Sequence, residues 1–343
     1  MHRDNPHPVI DRGRLFRPDK TSQRGRAVPP GVEYHRTLAG EKRRVGRGIL
    51  AIVLLLGGMW AGILGSVLLA RMFDQAVGIP PTAEGRGGLT PSMHILGMFA
   101  NALLIPLSAL IQRWLYGVPF ASFYSVFSRF RFSLFTRALF IVVPVFIVMN
   151  VVGSFLLPTE SVVWVQSEAL WMLAGTLLLV PLQATAEEFG LRGLVFRVAS
   201  SWGRGPRTSL VLGIAVTGFA FAALHLAMDP WLWVWYFLLA ITTCLITWRS
   251  GGIEIAIVLH VAFNTLNYVF AVGTSGDLSG ASDRSGSNSM IAVSFILPAL
   301  IFIAATIVVW FRTRRTGPIT TPPADWRPDD WQSLHGIAER RPR

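Results

Sequence analysis

Long apolar runs alternate with short polar connections along this chain, at roughly 48–70, 93–112, 134–157, 171–200, 208–228, 231–248, 252–273 and 290–311. A helix rises 1.5 Å per residue, so about 20 apolar residues cross a hydrocarbon core of about 30 Å. No water is available there to bond free peptide groups, so a spanning segment must satisfy its own backbone. The pattern predicts an all-α, polytopic membrane protein of about eight transmembrane helices. Composition strengthens this: 52% of the 343 residues are hydrophobic, only 15% are charged, and mean hydropathy is +0.49. Soluble domains lie well below that.

A net charge of +12 raises the question of nucleic acid, and the placement of the basic residues answers it. Lys and Arg crowd into the segment before the first run, into the connection holding Arg113, Arg129, Arg131 and Arg137, around Arg197, Arg204, Arg207 and Arg249, and into the C-terminal tail. The alternate connections carry only Arg71, Arg86 and Arg284. This alternation is the positive-inside pattern, which predicts both termini on the cytoplasmic side of the cell (inner or plasma) membrane. The charge then meets lipid headgroups, and no nucleic-acid partner is expected.

Residues 1–47 read as a disordered basic tail with no cleavable signal, 48–312 as the transmembrane domain with its catalytic core in 170–270, and 313–343 as a second disordered tail, with Trp326 and Trp331 isolated in it. Ser275 to Ser289 reads as a flexible external loop. Tyr116 to Phe132 mixes aromatic residues with Arg129 and Arg131, as a segment lying among headgroups would. The single cysteine, Cys244, lies inside the sixth run, which rules out a disulfide framework and a Cys-pair metal site.

Ionisable residues inside the fourth run are the sharpest departure from this apolar background. Each costs roughly 2.5–3.5 kcal/mol at mid-bilayer, so Glu187, Glu188 and Arg192 are expected to face a protein interior and to act there. Residues four apart share a helix face, which pairs Glu188 with Arg192 and puts Gln183 beside Glu187. Glu187 itself is turned by about 100° from Glu188 and is free to face a cavity. Gly190 and Gly193 leave room for a neighbouring backbone. The fifth run ends in Phe221 and His225, and the seventh carries a polar stripe of His260, Asn264 and Asn267. Counting residues to the connecting turns puts Glu187 and His225 at similar depth, whereas His260, nine residues after the Gly251-Gly252 turn, is expected nearer the cytoplasm unless its helix is shifted or tilted.

In order, Glu-Glu-x-x-x-Arg at 187–192, Phe-x-x-x-His at 221–225 and His-x-x-x-Asn at 260–264 resemble the signature of the CPBP intramembrane proteases (CAAX protease and bacteriocin-processing, Abi-type). The resemblance covers mainly 170–270. It implies a CAAX-protease-like helical bundle, a membrane-associated peptide or protein as substrate, and peptide-bond hydrolysis within the membrane. It also implies Glu187 as the catalytic glutamate, His225 as a holder of the attacking water, and His260 with Asn264 as oxyanion donors. Glu188, Arg192 and Phe221 fall at supporting positions. No cofactor is favoured; the alternative is a zinc ion on Glu187, His225 and His260. A different class, a proton- or ion-coupled transporter with those three residues as a relay, stays open, although neither an internal repeat nor paired broken helices speak for it.

Overall fold

Among the described residues, eight helices long and apolar enough to cross a membrane form in the places the runs predict, and the chain is a multi-pass membrane protein. They are α1 (Val45–Ala76), α2 (Pro91–Tyr116), α3 (Phe132–Leu156), α4 (Gln166–Ser200), α5 (Pro206–Leu224), α6 (Pro230–Ser250), α7 (Glu254–Gly273) and α8 (Ile296–Thr313). The computed structural model describes residues 28–40, 43–79, 89–156, 164–226, 229–274, 276 and 293–323. The disorder expected for 1–27 and 324–343 lies outside the described residues, as do 157, 227–228 and 290–292 of the expected spans and all but Gly276 of the 275–289 loop.

Local chemistry sets the helix ends. Thr90 and Asp229 cap α2 and α6, accepting from Met93 N (3.2 Å) and Trp231 N (2.6 Å), and Pro91 and Pro230 follow them where no N–H is needed. Gly117 and Gly251 close the same helices at φ 69° and 68°, a left-handed conformation that a Cβ would strain. Within α2 the helix breaks at Leu103. Pro106 explains the break, since it has no N–H to give Ala102 O and its ring crowds that carbonyl.

The fourth helix is the axis of the molecule. It packs against α2, α5 and α7, while α7 also packs on α3, and α6 on α5 and α8. Every residue from Ala186 to Ser200 is buried, so this half of α4 is enclosed on all sides by protein. Phe189–Val195 winds as a π-helix immediately after the two glutamates, a wider turn that often marks functional positions. Side chains, not a backbone, fill the space beside its glycines. The Phe123 ring lies where a Cβ of Gly193 would be, and Leu55 faces Gly190.

Part of the aromatic and basic segment between α2 and α3, expected to lie among headgroups, is instead folded into the bundle. Phe123 is wholly buried, Phe120 stacks on Phe189 at 5.5 Å, and Tyr34 Oη donates to Phe123 O at 2.5 Å. Arg131 does not reach for lipid phosphate. Its Nε and Nη2 grip Glu254 Oε1 and Oε2 at 2.8 and 2.7 Å, and its Nη1 donates to Ser250 O at 2.7 Å. Glu254, fully buried at the start of α7, gains from this fork and from the helix dipole. The backbone joins in, with Val126 N on Gly251 O (2.8 Å) and Ile253 N on Tyr124 O (3.0 Å). Burial of apolar rings in a hollow made by glycine outweighs their interfacial preference.

Parts of both tails are also ordered against the bundle. Gly31 N donates to Thr321 O (3.1 Å) and Thr321 N to Val32 O (2.8 Å), so the two tail segments meet at one end, as an even number of spans requires. Tyr34 and His35 are fully buried there; burial pushes His35 down to about 4, which leaves the ring neutral at pH 7 against Phe196 at 5.8 Å. Arg197, expected as a flanking positive charge, is instead wholly buried. It donates to Thr37 Oγ1 (2.6 Å), Gln112 Oε1 (2.8 Å), Gly193 O (3.1 Å) and Ser122 Oγ (3.1 Å), and lies over the rings of Tyr34 and Phe123 at 5.4 Å each. Neutral acceptors and ring faces together replace the water it has lost. This one side chain ties the N-terminal segment, α2 and the 117–131 segment to α4.

Candidate active site

Helical spacing brings the first contacts together without help from the rest of the fold. Glu188 Oε1 and Arg192 Nη1 are 3.0 Å apart, both side chains fully buried, and Gln183 Nε2 donates to Glu187 Oε1 at 2.5 Å. The guanidinium of Arg192 is satisfied elsewhere as well. Its Nε donates to Thr243 Oγ1 at 2.8 Å, and the group lies 5.0 Å over the Phe221 ring. Glu188 is therefore held as part of an ion pair, while Glu187 points to another side.

His260 stands between the two carboxylates. Its Nδ1 is 2.8 Å from Glu188 Oε1 and its Nε2 is 3.7 Å from Glu187 Oε2. A carboxylate accepts, so Nδ1 carries a proton and Nε2 is turned toward Glu187. His260 is thus level with the two glutamates and not set apart from Glu187 toward the cytoplasm as counting from the turn suggested, because that turn is itself buried in the protein. Gly251 and Gly252 are buried beneath Val126, Tyr124 and Ile319, and α7 starts from inside the bundle. One turn further on, Asn264 Nδ2 donates to Gln183 Oε1 at 3.3 Å, which completes a chain from Asn264 through Gln183 to Glu187. Asn267, the third member of the stripe, is half-buried and stands outside that chain.

His225 is placed by the end of a helix. α5 stops at Leu224, and Leu226 takes φ 47°; His225 N and Leu226 N turn to Ala222 O (3.2 Å) and Ala223 O (3.1 Å), which leaves Phe221 O to a side chain. His225 Nδ1 is 2.8 Å from Phe221 O. A carbonyl only accepts, so the ring proton is on Nδ1 and Nε2 is the acceptor nitrogen. Tyr236 stacks on the ring at 3.9 Å, and Phe221 meets both His225 (4.7 Å) and His260 (6.1 Å) edge-on.

Glu187 and His225 line one cavity of about 190 Å³, together with Met59, Trp60 and Ile63 of α1, Asn101 of α2, and Phe221 and Leu224 of α5. That is room for several waters or a peptide group. Asn264 acts on the cavity through Gln183 and Glu187. Among the described residues no three His, Cys, Asp or Glu side chains are grouped so as to hold a metal ion. A larger hollow of about 530 Å³ between α6 and α8, lined by Trp233, Phe237, Ile241 and Ile303, is apolar and carries no chemistry.

The motifs alone did not point to Asn101, Thr243, Tyr236 or Trp60. Asn101 left a trace in the sequence, an amide in an otherwise apolar stretch, but a single polar residue does not say which helix it faces. Thr243 and Tyr236 left none.

Residues 166–266 match the family described as type II CAAX prenyl endopeptidase, Rce1-like. The match takes in all three motifs, so the family resemblance holds for the part of the chain that carries the site. The uncharacterized protein YyaK of Bacillus subtilis (strain 168) is 27% identical over 157 residues, which are 43% of this chain and 51% of YyaK. The chain thus spans about half the length of that curated relative. No solved structure matches it.

Proposed function

We propose that this protein is an intramembrane endopeptidase that hydrolyses a peptide bond in a membrane-associated peptide or protein. The observation that carries this reading is the shared cavity, whose wall holds both a carboxylate oriented by Gln183 and a histidine whose Nδ1 is engaged with a carbonyl. A water between them donates one proton toward Glu187 and the other toward His225 Nε2, leaving an oxygen lone pair for the substrate carbonyl. Glu187 takes the first proton as the C–O bond forms and returns it to the leaving amine as the C–N bond breaks. Charge on the tetrahedral oxygen is met by N–H donors. The motif resemblance names His260, whose Nε2 donates only when the ring carries a second proton, and the second N–H of Asn264; both lie behind Glu187 and not on the cavity wall itself. His260 is oriented for that task by Glu188, and Glu188 by Arg192.

The hydrolysis as drawn needs no metal. Purified protein in proteoliposomes is expected to cut a quenched, membrane-anchored peptide, to keep that activity after exhaustive chelation, and to carry far less than one equivalent of zinc. Stoichiometric zinc, lost and restored together with activity, would replace the water-activating role given to Glu187 by a metal site. Proton or ion flux in the same vesicles without cleavage would favour the transporter reading.

Both tails are assigned to the cytoplasm and the bundle to the cell membrane, on the basic excess in the tails and even-numbered connections. A fluorescent protein that folds only in the cytoplasm, fused after Arg343, is expected to light up. A periplasmic-type reporter active at the same position would reverse the orientation.

A further inference from the structure

One polar side chain in the catalytic cavity is unused by this mechanism. Asn101 lines the cavity together with the apolar Met59, Trp60 and Ile63 of α1, on the last turn of α2 before the Pro106 break. Its Oδ1 is shut off from solvent and has no hydrogen-bond partner. Inside a membrane an unpaired amide costs about 1–3 kcal/mol, and leucine would fill the same volume without that cost. The reacting water does not need it, since both of its protons are already taken by Glu187 and His225. The other amides of the site are engaged, Asn264 donating to Gln183 and Gln183 to Glu187. What a peptide brings into a cavity of this size, beyond its scissile carbonyl, is main-chain N–H and C=O groups stripped of water.

Resting on the protease reading above, we propose that the Asn101 side-chain amide binds the substrate, hydrogen-bonding the main chain of the peptide next to the scissile bond. An amide suits this because it donates and accepts side by side, as a peptide group does in a ladder. It recognises the backbone and ignores side chains, while Met59, Trp60 and Ile63 offer an apolar surface to whatever side chain follows. The contact belongs to the bound ground state as much as to the transition state, so its loss falls mainly on KM.

The test compares wild type, Asn101→Leu, Asn101→Gln and Glu187→Gln in proteoliposomes. The probes are a quenched peptide ending in a farnesylated Cys-a-a-X sequence and a quenched single-span peptide. Asn101→Leu is expected to lower kcat/KM at least tenfold, chiefly through KM, with a melting temperature in detergent equal to or above that of wild type. A residue of purely structural use would show the reverse, a lower melting temperature with unchanged kinetics. Asn101→Gln, which keeps the amide, is expected closer to wild type than to the leucine variant. Should Asn101→Leu fail to insert, Asn101→Thr is judged by the same threshold. A kcat/KM within threefold of wild type, while Glu187→Gln is inactive, overturns the role of Asn101 and leaves the protease reading intact. Cleavage of neither probe by wild type, or cleavage unaffected by Glu187→Gln, overturns that reading and this inference with it.

Discussion

Glu187→Gln is expected to lower peptide cleavage by at least a hundredfold, the lower end of what a positioned general base contributes. The swap keeps the side chain's length and shape and removes its ability to take a proton. Little else should change. The new amide oxygen can still accept from Gln183 Nε2, and the residue stays on the cavity wall between Gln183 and His260. The melting temperature in detergent should accordingly stay within a degree or two of the parent. Activity within threefold of wild type would remove Glu187 from its role, and a large drop in stability would mean that the carboxylate is mainly structural.

Arg192→Met should do the opposite, striking stability first. Glu188 is fully buried, and its charge is balanced by Arg192 at 3.0 Å. Removing the cation leaves a carboxylate without water or counter-ion, which costs roughly 3–5 kcal/mol in comparable buried pairs. Thermal unfolding in detergent should begin several degrees lower. Glu188→Gln in the same background relieves the uncompensated charge, so the double variant should melt above Arg192→Met; that non-additivity is the signature of a coupled pair. Identical melting curves for wild type and Arg192→Met would show that the pair does not hold the site together. Activity should fall too, because Glu188 also anchors His260 Nδ1 at 2.8 Å.

The two variants separate the glutamates as the spacing of α4 does. Neighbours in sequence, Glu187 and Glu188 point about 100° apart, one toward a cavity and one toward an arginine and a histidine. The same physical requirement places both, since no charge survives in a membrane without a partner or a task.

How much of this was legible beforehand depends on the range of each interaction. Eight apolar runs announced eight helices, because length and hydropathy are properties of a segment and the bilayer acts on each segment alone. The pairs Glu188 with Arg192 and Gln183 with Glu187 were legible for a similar reason, both lying one helical turn apart. Even the meeting of Glu187 with His225 followed from counting residues to a turn. Tertiary structure alone decided how deep each helix sits and what covers its end. The Gly251-Gly252 turn is sunk under the 117–131 segment, held there by Arg131 on Glu254, and only this depth brings His260 between the two glutamates. Arg197 and Phe123 read as surface residues and are core residues, because their partners come from segments 75 to 160 positions away. Periodicity records which face of a helix is apolar; it does not record the offset between helices, which is set by packing between distant parts of the chain.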